Sequence, residues 1–163
     1  MFKHILMPTD GSEHSERAIE RGIELARLCG ARVTGIHVMQ DYRMMIGTED
    51  IAPGDLEEGI EARERERASV FLSFVQKAAD AAGVPCETVI AKGHQPYDAI
   101  VDAANDRGCD LIVMTSRYRK GLASLLLGSE ATRVLHRASI PVLTFRALVS
   151  ADHPDRPKRT WTP

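Results

Sequence analysis

Short apolar runs alternate with longer amphipathic stretches along this chain, and the spacing of the apolar positions assigns a conformation to each. Residues 2–8 (FKHILMP), 33–39 (VTGIHVM), 86–91, 111–114 and 140–146 (IPVLTFR) are brief apolar runs bounded by Gly, Pro or Asp. Such runs mark strands buried in a parallel sheet. Between the first two, over 12–28, Ala18, Ile19, Gly22, Ile23, Leu25 and Ala26 recur at three- and four-residue spacing and form one buried helical stripe. Ser12 or Ser15 caps its start, Glu13 and Glu16 suit the positive end of its dipole, and Gly30 closes it. A loop over 40–54, rich in Met44, Met45 and Ile46, leads to a long helix over 55–82 that Gly83 ends. The first half of that helix, 57–67, mixes Glu and Arg densely and reads as a solvated face. Its second half offers Val70, Phe71, Phe74, Val75 and Ala78 to the sheet. A third helix spans 97–107, with Pro96 at its first position, where a missing N–H costs nothing. Thr115 opens a loop over 115–127, and Gly128-Ser129 starts a last helix reaching about 138. From 147 the chain turns polar and proline-rich (Pro154, Pro157, Pro163) and reads as a flexible tail over 147–163.

The order βαβαβαβαβ, with right-handed crossovers, gives a doubly wound, Rossmann-like α/β sheet. Ligands of such sheets sit outside the carboxyl ends of the strands, where strand order reverses. That rule nominates the turns Thr9-Asp10-Gly11-Ser12 and Thr115-Ser116-Arg117.

Composition narrows the chemistry. At 163 residues, 44% apolar and 27% charged, the chain suits one globular domain, and a chain of this size buries about 70% of its unfolded surface. A net charge of -2 argues against nucleic acid, since only Arg156, Lys158 and Arg159 form a basic cluster. Cys29, Cys86 and Cys109 are odd in number, far apart and without a CxxC pair, and read as small buried free thiols of a reducing compartment. No signal-peptide apolar region opens the sequence and no run approaches the ~20 residues of a membrane span. The expected location is cytoplasmic, with no membrane partner. None of the six histidines (His4, His14, His37, His94, His136, His153) pairs with another at helical zinc spacing. His37, mid-strand, reads as a packed residue, and His94 as a solvated loop residue or a rim group facing the site. Met39, Met44, Met45 and Ile46 offer a soft apolar surface to a partner, or else lie in a disordered loop. Walker, G-x-G-x-x-G and pyrophosphatase-loop motifs are absent, and no Ser–His–acid arrangement is evident, so no catalytic residue is assigned.

The stretch from Met114 to Pro141 carries the strongest signal: a nine-residue spacer from Arg119 to Leu127, then Leu125-Leu126-Leu127-Gly128-Ser129, Arg133-Val134-Leu135 and Ile140-Pro141-Val142-Leu143. It resembles the carboxyl-terminal signature of the universal stress protein family, a Gly-x-x-Gly, nine residues, then Gly-Ser or Gly-Thr. Ile5-Leu6-Met7-Pro8-Thr9-Asp10-Gly11-Ser12 resembles the family's first strand and turn, and Gly93-x-x-Pro96 approximates its Gly-x-Pro. The likeness covers 1–146, which is taken as the domain. It implies a five-stranded parallel sheet of order 3-2-1-4-5 with two helices on each face. It also implies a homodimeric stress-response protein, pairing through Ile140, Val142, Leu143 and Phe145 of the last strand.

In the nucleotide-binding branch of the family, the corresponding positions hold ATP or ADP, with or without Mg. By position these are Pro8, Thr9, Asp10, Val38, Met114, Thr115, Arg117, Tyr118, Gly128, Ser129 and Glu130. Gly128 lets backbone approach an anion, and Ser129 opens a helix whose dipole favours it. Asp10 also has a structural use, since Asp before Gly readily makes a turn. Thr115-Ser116-Arg117-Tyr118 departs from Gly-x-x-Gly: Tyr118 removes the freedom of a glycine and adds a ring. Arg117, Arg119 and Lys120 offer compensating charge, or are simply solvated. Two readings therefore stand. One is an adenine-nucleotide-responsive stress protein, the other a dimer that binds no nucleotide and works through an unidentified protein partner, its cleft altered by Tyr118. A slow ATP hydrolase is a distant third.

Overall fold

The computed structural model describes residues 1–40, 53–116 and 129–146, with the backbone alone for 53–58 and 129. The element order is β1 (His4–Pro8), α1 (Glu13–Cys29), β2 (Arg32–Gln40), α2 (Pro53–Ala82), β3 (Cys86–Gly93), α3 (Pro96–Asp106), β4 (Leu111–Ser116), α4 (Ser129–Arg137) and β5 (Val142–Arg146). All ladders are parallel and the strand order is β3-β2-β1-β4-β5, as the family resemblance implies.

Strand alternation splits the core into two layers. On one face Ile5, Met7, Val33, Leu111 and Val113 meet Ile19, Ile23 and Ala26 of α1 and Val75 and Ala79 of α2. On the other, Leu6, Ile36, Ile112 and Met114 meet Ile100, Val101 and Ala104 of α3 and Ala131 and Val134 of α4. Consecutive residues of β1 and β4 feed opposite layers, so both central strands are buried on both sides, which is why they read as unbroken apolar runs.

The expected caps are in place. The Ser12 hydroxyl accepts from Ser15 N, and Gly30 closes α1 in the left-handed region at φ 64°. Pro96 opens α3.

Three expectations are corrected. Thr115 and Ser116 belong to β4, not to a loop, because β5 pairs with them as far as Ser116–Arg146. Val70 is 62% exposed, since the stripe of α2 that meets the sheet is Ala68, Leu72, Val75 and Ala79 at helical spacing, and Val70 lies off it. Of the cysteines, Cys109 is buried while Cys29 and Cys86 are half-buried; all three are free. Burial pushes the Cys109 thiol up to about 11 and raises that of Cys86, so neither is a ready thiolate.

At 30 residues, α2 is about 45 Å long, whereas the nine residues of β2 reach about 30 Å. Phe71 lies against the turn after β1, so the helix from Ile60 to Arg67 stands above the carboxyl rim of the sheet. There Glu61 accepts from Lys92 of β3 and from Arg65, and Lys92 first, then Arg65, holds its carboxyl below the ordinary range.

Candidate functional site

The rim at the carboxyl ends of the strands opens because two ladders of β1 end at different heights. With β2, β1 pairs over five positions, to Pro8–Ile36. With β4, it pairs only at Ile5–Leu111 and Leu6–Ile112. Beyond Leu6 the β1 and β4 tips part, while β4 continues to Ser116 beside β5. This is where strand order reverses, and a crevice there is what a doubly wound sheet offers a ligand.

The turn leaving β1 is held by a one-way chain of hydrogen bonds. Gly11 N–H donates to the Thr9 hydroxyl (3.2 Å) and the Ser15 hydroxyl donates to the Ser12 carbonyl (2.8 Å). The 3.2 Å contact between the Thr9 and Ser15 hydroxyls therefore runs from Thr9 to Ser15. Thr9 N–H donates to the Ile36 carbonyl at 2.9 Å, extending the β1–β2 ladder by one rung. Asp10 Oδ1 accepts from Ser12 N (3.0 Å) and from the Ser12 hydroxyl (2.6 Å), so this carboxylate does shape the turn. Gly11 sits at φ 72°, and a Cβ there would lie 2.1 Å from Phe71 Cε1. Glycine is required twice over, by conformation and by the ring above it.

His37 belongs to this site, which its expected role as a packing residue did not capture. Its Nδ1 donates to the Thr9 carbonyl at 2.8 Å, and its ring meets Phe71 edge-on at 5.3 Å between centroids. Arg67 extends the stack, 5.9 Å above the Phe71 ring. The signal was available in the register: with Pro8 opposite Ile36, the next residue of β2 falls beside Thr9.

The other nominated residues separate by face. Val38 is half-buried on the α3/α4 side, in the layer that also holds Met114. Thr115 points to the opposite face and gives its hydroxyl to the Phe145 carbonyl (3.3 Å), so that hydroxyl serves β5. Ser116, two residues on from Met114, shares the latter's face and is 7% exposed. Glu130 lies in the first turn of α4, where the dipole favours a carboxylate. Its Oε1 is 3.5 Å from Arg133 Nη1, whereas its Oε2 is buried with no hydrogen-bond partner among the described residues. Arg117, Tyr118 and Gly128 lie outside the described residues, as do Arg119, Lys120, Met44, Met45, Ile46 and the segment 147–163. His94 lies past β3 in the turn before α3 and is exposed.

One further feature lies away from the crevice. A shallow groove of about 620 Å³ between α2 and β3 is lined by Arg65, Ser69, Leu72 and Ile90 among others, and by none of the nominated residues. No group of three or more His, Cys, Asp or Glu among the described residues is arranged to hold a metal ion. No helix among them is long and apolar enough to cross a membrane.

A doubly wound sheet of this order, with its crevice between β1 and β4, is the architecture of a broad class of α/β ligand-binding proteins. Within that class the chain belongs to the universal stress protein family, whose model matches residues 1–146. It is 34% identical over 146 residues to a universal stress protein of Methanocaldococcus jannaschii, covering 90% of this chain and 83% of that one. Among solved structures it is similar to the protein MJ0577 of the same archaeon, with a TM-score of 0.75 and 28% identity over 90% of this chain and 97% of that one. A universal stress protein in complex with cAMP matches at a TM-score of 0.62 and 25% identity, covering 89% and 97%. One from Archaeoglobus fulgidus in complex with dAMP matches at 0.55 and 26%, covering 88% and 97%.

Proposed function

We propose that this protein is a cytoplasmic, homodimeric stress-response protein that holds an adenine nucleotide in the crevice between β1 and β4. The observation that carries the reading is the early end of the β1–β4 ladder at Leu6–Ile112, beside a β1–β2 ladder that runs on to Pro8. Val38 and Met114 supply apolar lining on one face, Pro8, Thr9 and Asp10 form the β1 lip, and α4 starts at Ser129. Glu130 Oε2 is a buried acceptor in want of a donor, which a ligand hydroxyl supplies. Two structural neighbours were solved with cAMP and dAMP, so the adenylate part is the shared ligand chemistry. Bound nucleotide brings its own phosphate charge, which the family resemblance assigns to Arg117 and Gly128-Ser129, with Mg as a counterion for ATP or ADP.

The residues at the positions of the family's Gly-x-x-Gly favour a second reading, a dimer that acts through a protein partner without nucleotide. Thr115 has its hydroxyl engaged by β5, and Tyr118 follows three residues later. Calorimetry with ATP and magnesium separates the two. Saturable binding that Asp10→Ala weakens about tenfold supports the first. No binding by the parent, with binding gained in Tyr118→Gly, supports the second. Phosphate release abolished by Asp10→Ala would be needed for a hydrolase.

The dimer rests on β5, an edge strand whose Leu143 is 37% exposed, with Val142 and Phe145 half-buried. Free strand edges with apolar side chains invite pairing, and a second copy across a two-fold axis satisfies both. Val142→Lys is expected to halve the mass seen by light scattering; an unchanged mass would refute pairing through this strand. The folding unit is taken as residues 1–146, the span that the family model matches.

A further inference from the structure

At the amino-terminal ends of the strands, away from the crevice, a buried histidine is enclosed by polar groups that no nucleotide function explains. His4 is 3% exposed and Thr34 0%. His4 Nδ1 lies 3.1 Å from the Arg107 carbonyl and Nε2 lies 2.7 Å from the Thr34 hydroxyl. That hydroxyl is in turn 2.8 Å from Glu87 Oε1, which also accepts from Arg107 Nη1 at 2.8 Å. The four residues come from β1, β2, β3 and the end of α3.

Counting protons makes this ring of contacts bistable. The Arg107 carbonyl only accepts, so Nδ1 must carry a proton in either charge state. The Glu87 carboxylate is held ionised by its hydrogen bond from Thr34 and by Arg107, and it too only accepts. Thr34 has one hydroxyl proton and two neighbours that can take it. When His4 is neutral, Nε2 is an acceptor and competes with Glu87 for that proton. When His4 is charged, Nε2 becomes a donor, and the Thr34 proton turns to Glu87.

The geometry points to a proton-operated relay: the charge on His4 decides whether the Thr34 hydroxyl is committed to Glu87 of the edge strand or contested between Glu87 and His4. Every element packed on His4 bears on its charge. Arg32 of β2, its register partner, opposes protonation, while the Arg107 carbonyl at the end of α3, Glu87 of β3 and Asp110 ahead of β4 favour it. Burial is the largest influence and, with Arg32, it sets the balance toward neutral His4. Near neutral pH His4 and Glu87 therefore compete for the hydroxyl proton, and acidification commits it to Glu87.

Imidazole nitrogen shifts of the full chain, followed by NMR from about pH 8 to about pH 4, read the relay directly. Neutral His4 is expected to carry its proton on Nδ1, the minor tautomer of free histidine, and to titrate below the ordinary 6.5. Glu87→Gln removes the charge and leaves a weaker acceptor, and is expected to lower the proton affinity of His4 roughly threefold. Repeated in a Thr34→Val background, the same substitution should have less than half that effect. Thr34→Ser retains the hydroxyl and should restore the full effect. A neutral form protonated on Nε2 would overturn the relay, as would a midpoint at or above 6.5, or a Glu87→Gln effect undiminished by Thr34→Val. If Thr34→Val does not fold, the tautomer and the Glu87→Gln shift still decide.

Discussion

The two ends of the sheet are built in opposite ways. At the amino end, side chains stitch neighbouring elements together: Asp110 takes the backbone N–H groups of Lys3 (2.7 Å) and His4 (3.0 Å), and His4, Thr34, Glu87 and Arg107 close a ring across three strands. At the carboxyl end the bonds centre on the turn from Thr9 to Ser15, with His37 of β2 holding the Thr9 carbonyl and Thr115 bonded to β5, and the β1 and β4 tips part. One end ties β1 laterally to β2, β3 and β4, and the other leaves a gap between β1 and β4 while each lip is held by its outer neighbour, β2 or β5. A binding crevice needs that division, because a gap in the sheet is tolerable only where the rest of the ladder is secured.

The sharpest way to break this contrast is at the lip. Gly11→Ala forces a left-handed residue to carry a Cβ and drives it into Phe71, and is expected to cost about 2–3 kcal/mol in urea unfolding. A loss below about 0.5 kcal/mol would show that Phe71 yields freely and that the lip is soft.

Asp110→Ala tests the opposite end by leaving two backbone donors without their acceptor, and is expected to cost about 1–2 kcal/mol. It also changes the response to acid. Burial raises the Asp110 carboxyl, but the backbone N–H groups of His4 and Lys3 outweigh it and hold it below its usual 3.8. Glu87 is held low by Thr34 and Arg107. Groups lowered on folding contribute stability above their unfolded values and lose it as pH falls through the folded ones. His4 is lowered too, so stability present above 6.5 is lost as pH falls through its folded value. Unfolding midpoints measured against pH should therefore fall in two stages, a first below 6.5 from His4 and a second below the ordinary carboxylate range. Asp110→Ala should flatten the second stage and, by removing a charge that favours protonated His4, carry the first to lower pH.

The smallest effect is expected on the outer face of α1, where Arg17 pairs with Glu13 and both side chains are more than half exposed. Arg17→Ala should change stability by less than about 0.5 kcal/mol, because water and salt screen such pairs. A larger loss would mean that stability is spread over the surface rather than concentrated at the two ends.

Much of the fold was legible in the chain. The alternation of apolar runs and amphipathic stretches located all nine elements, and Ser12, Gly30 and Pro96 marked boundaries because caps act within one turn. Errors arose where a neighbour in space overrode the local signal. Thr115 and Ser116 read as loop by themselves but extend β4 because β5 continues alongside. Val70 reads as core in a run of apolar residues, yet it lies off the stripe that meets the sheet. Site residues divide in the same way. Asp10 and Glu130 were nominated from motif and helix position, whereas His37 and Phe71 were not, since neither shows its contact with the Thr9–Gly11 turn until β2 and α2 are brought to it.

By itself, then, the sequence determined the elements, their caps and which face of each is apolar, because periodicity and capping are set by residues within a few positions of one another. Its motifs also named the family. Only the tertiary structure decided where the β1–β4 ladder stops and which polar side chains meet at either end. Thr34 and Glu87 stand 53 positions apart, and His4 and Arg107 stand 103 apart. Pairings of that kind depend on strand register and helix placement, which are settled by packing of the whole core.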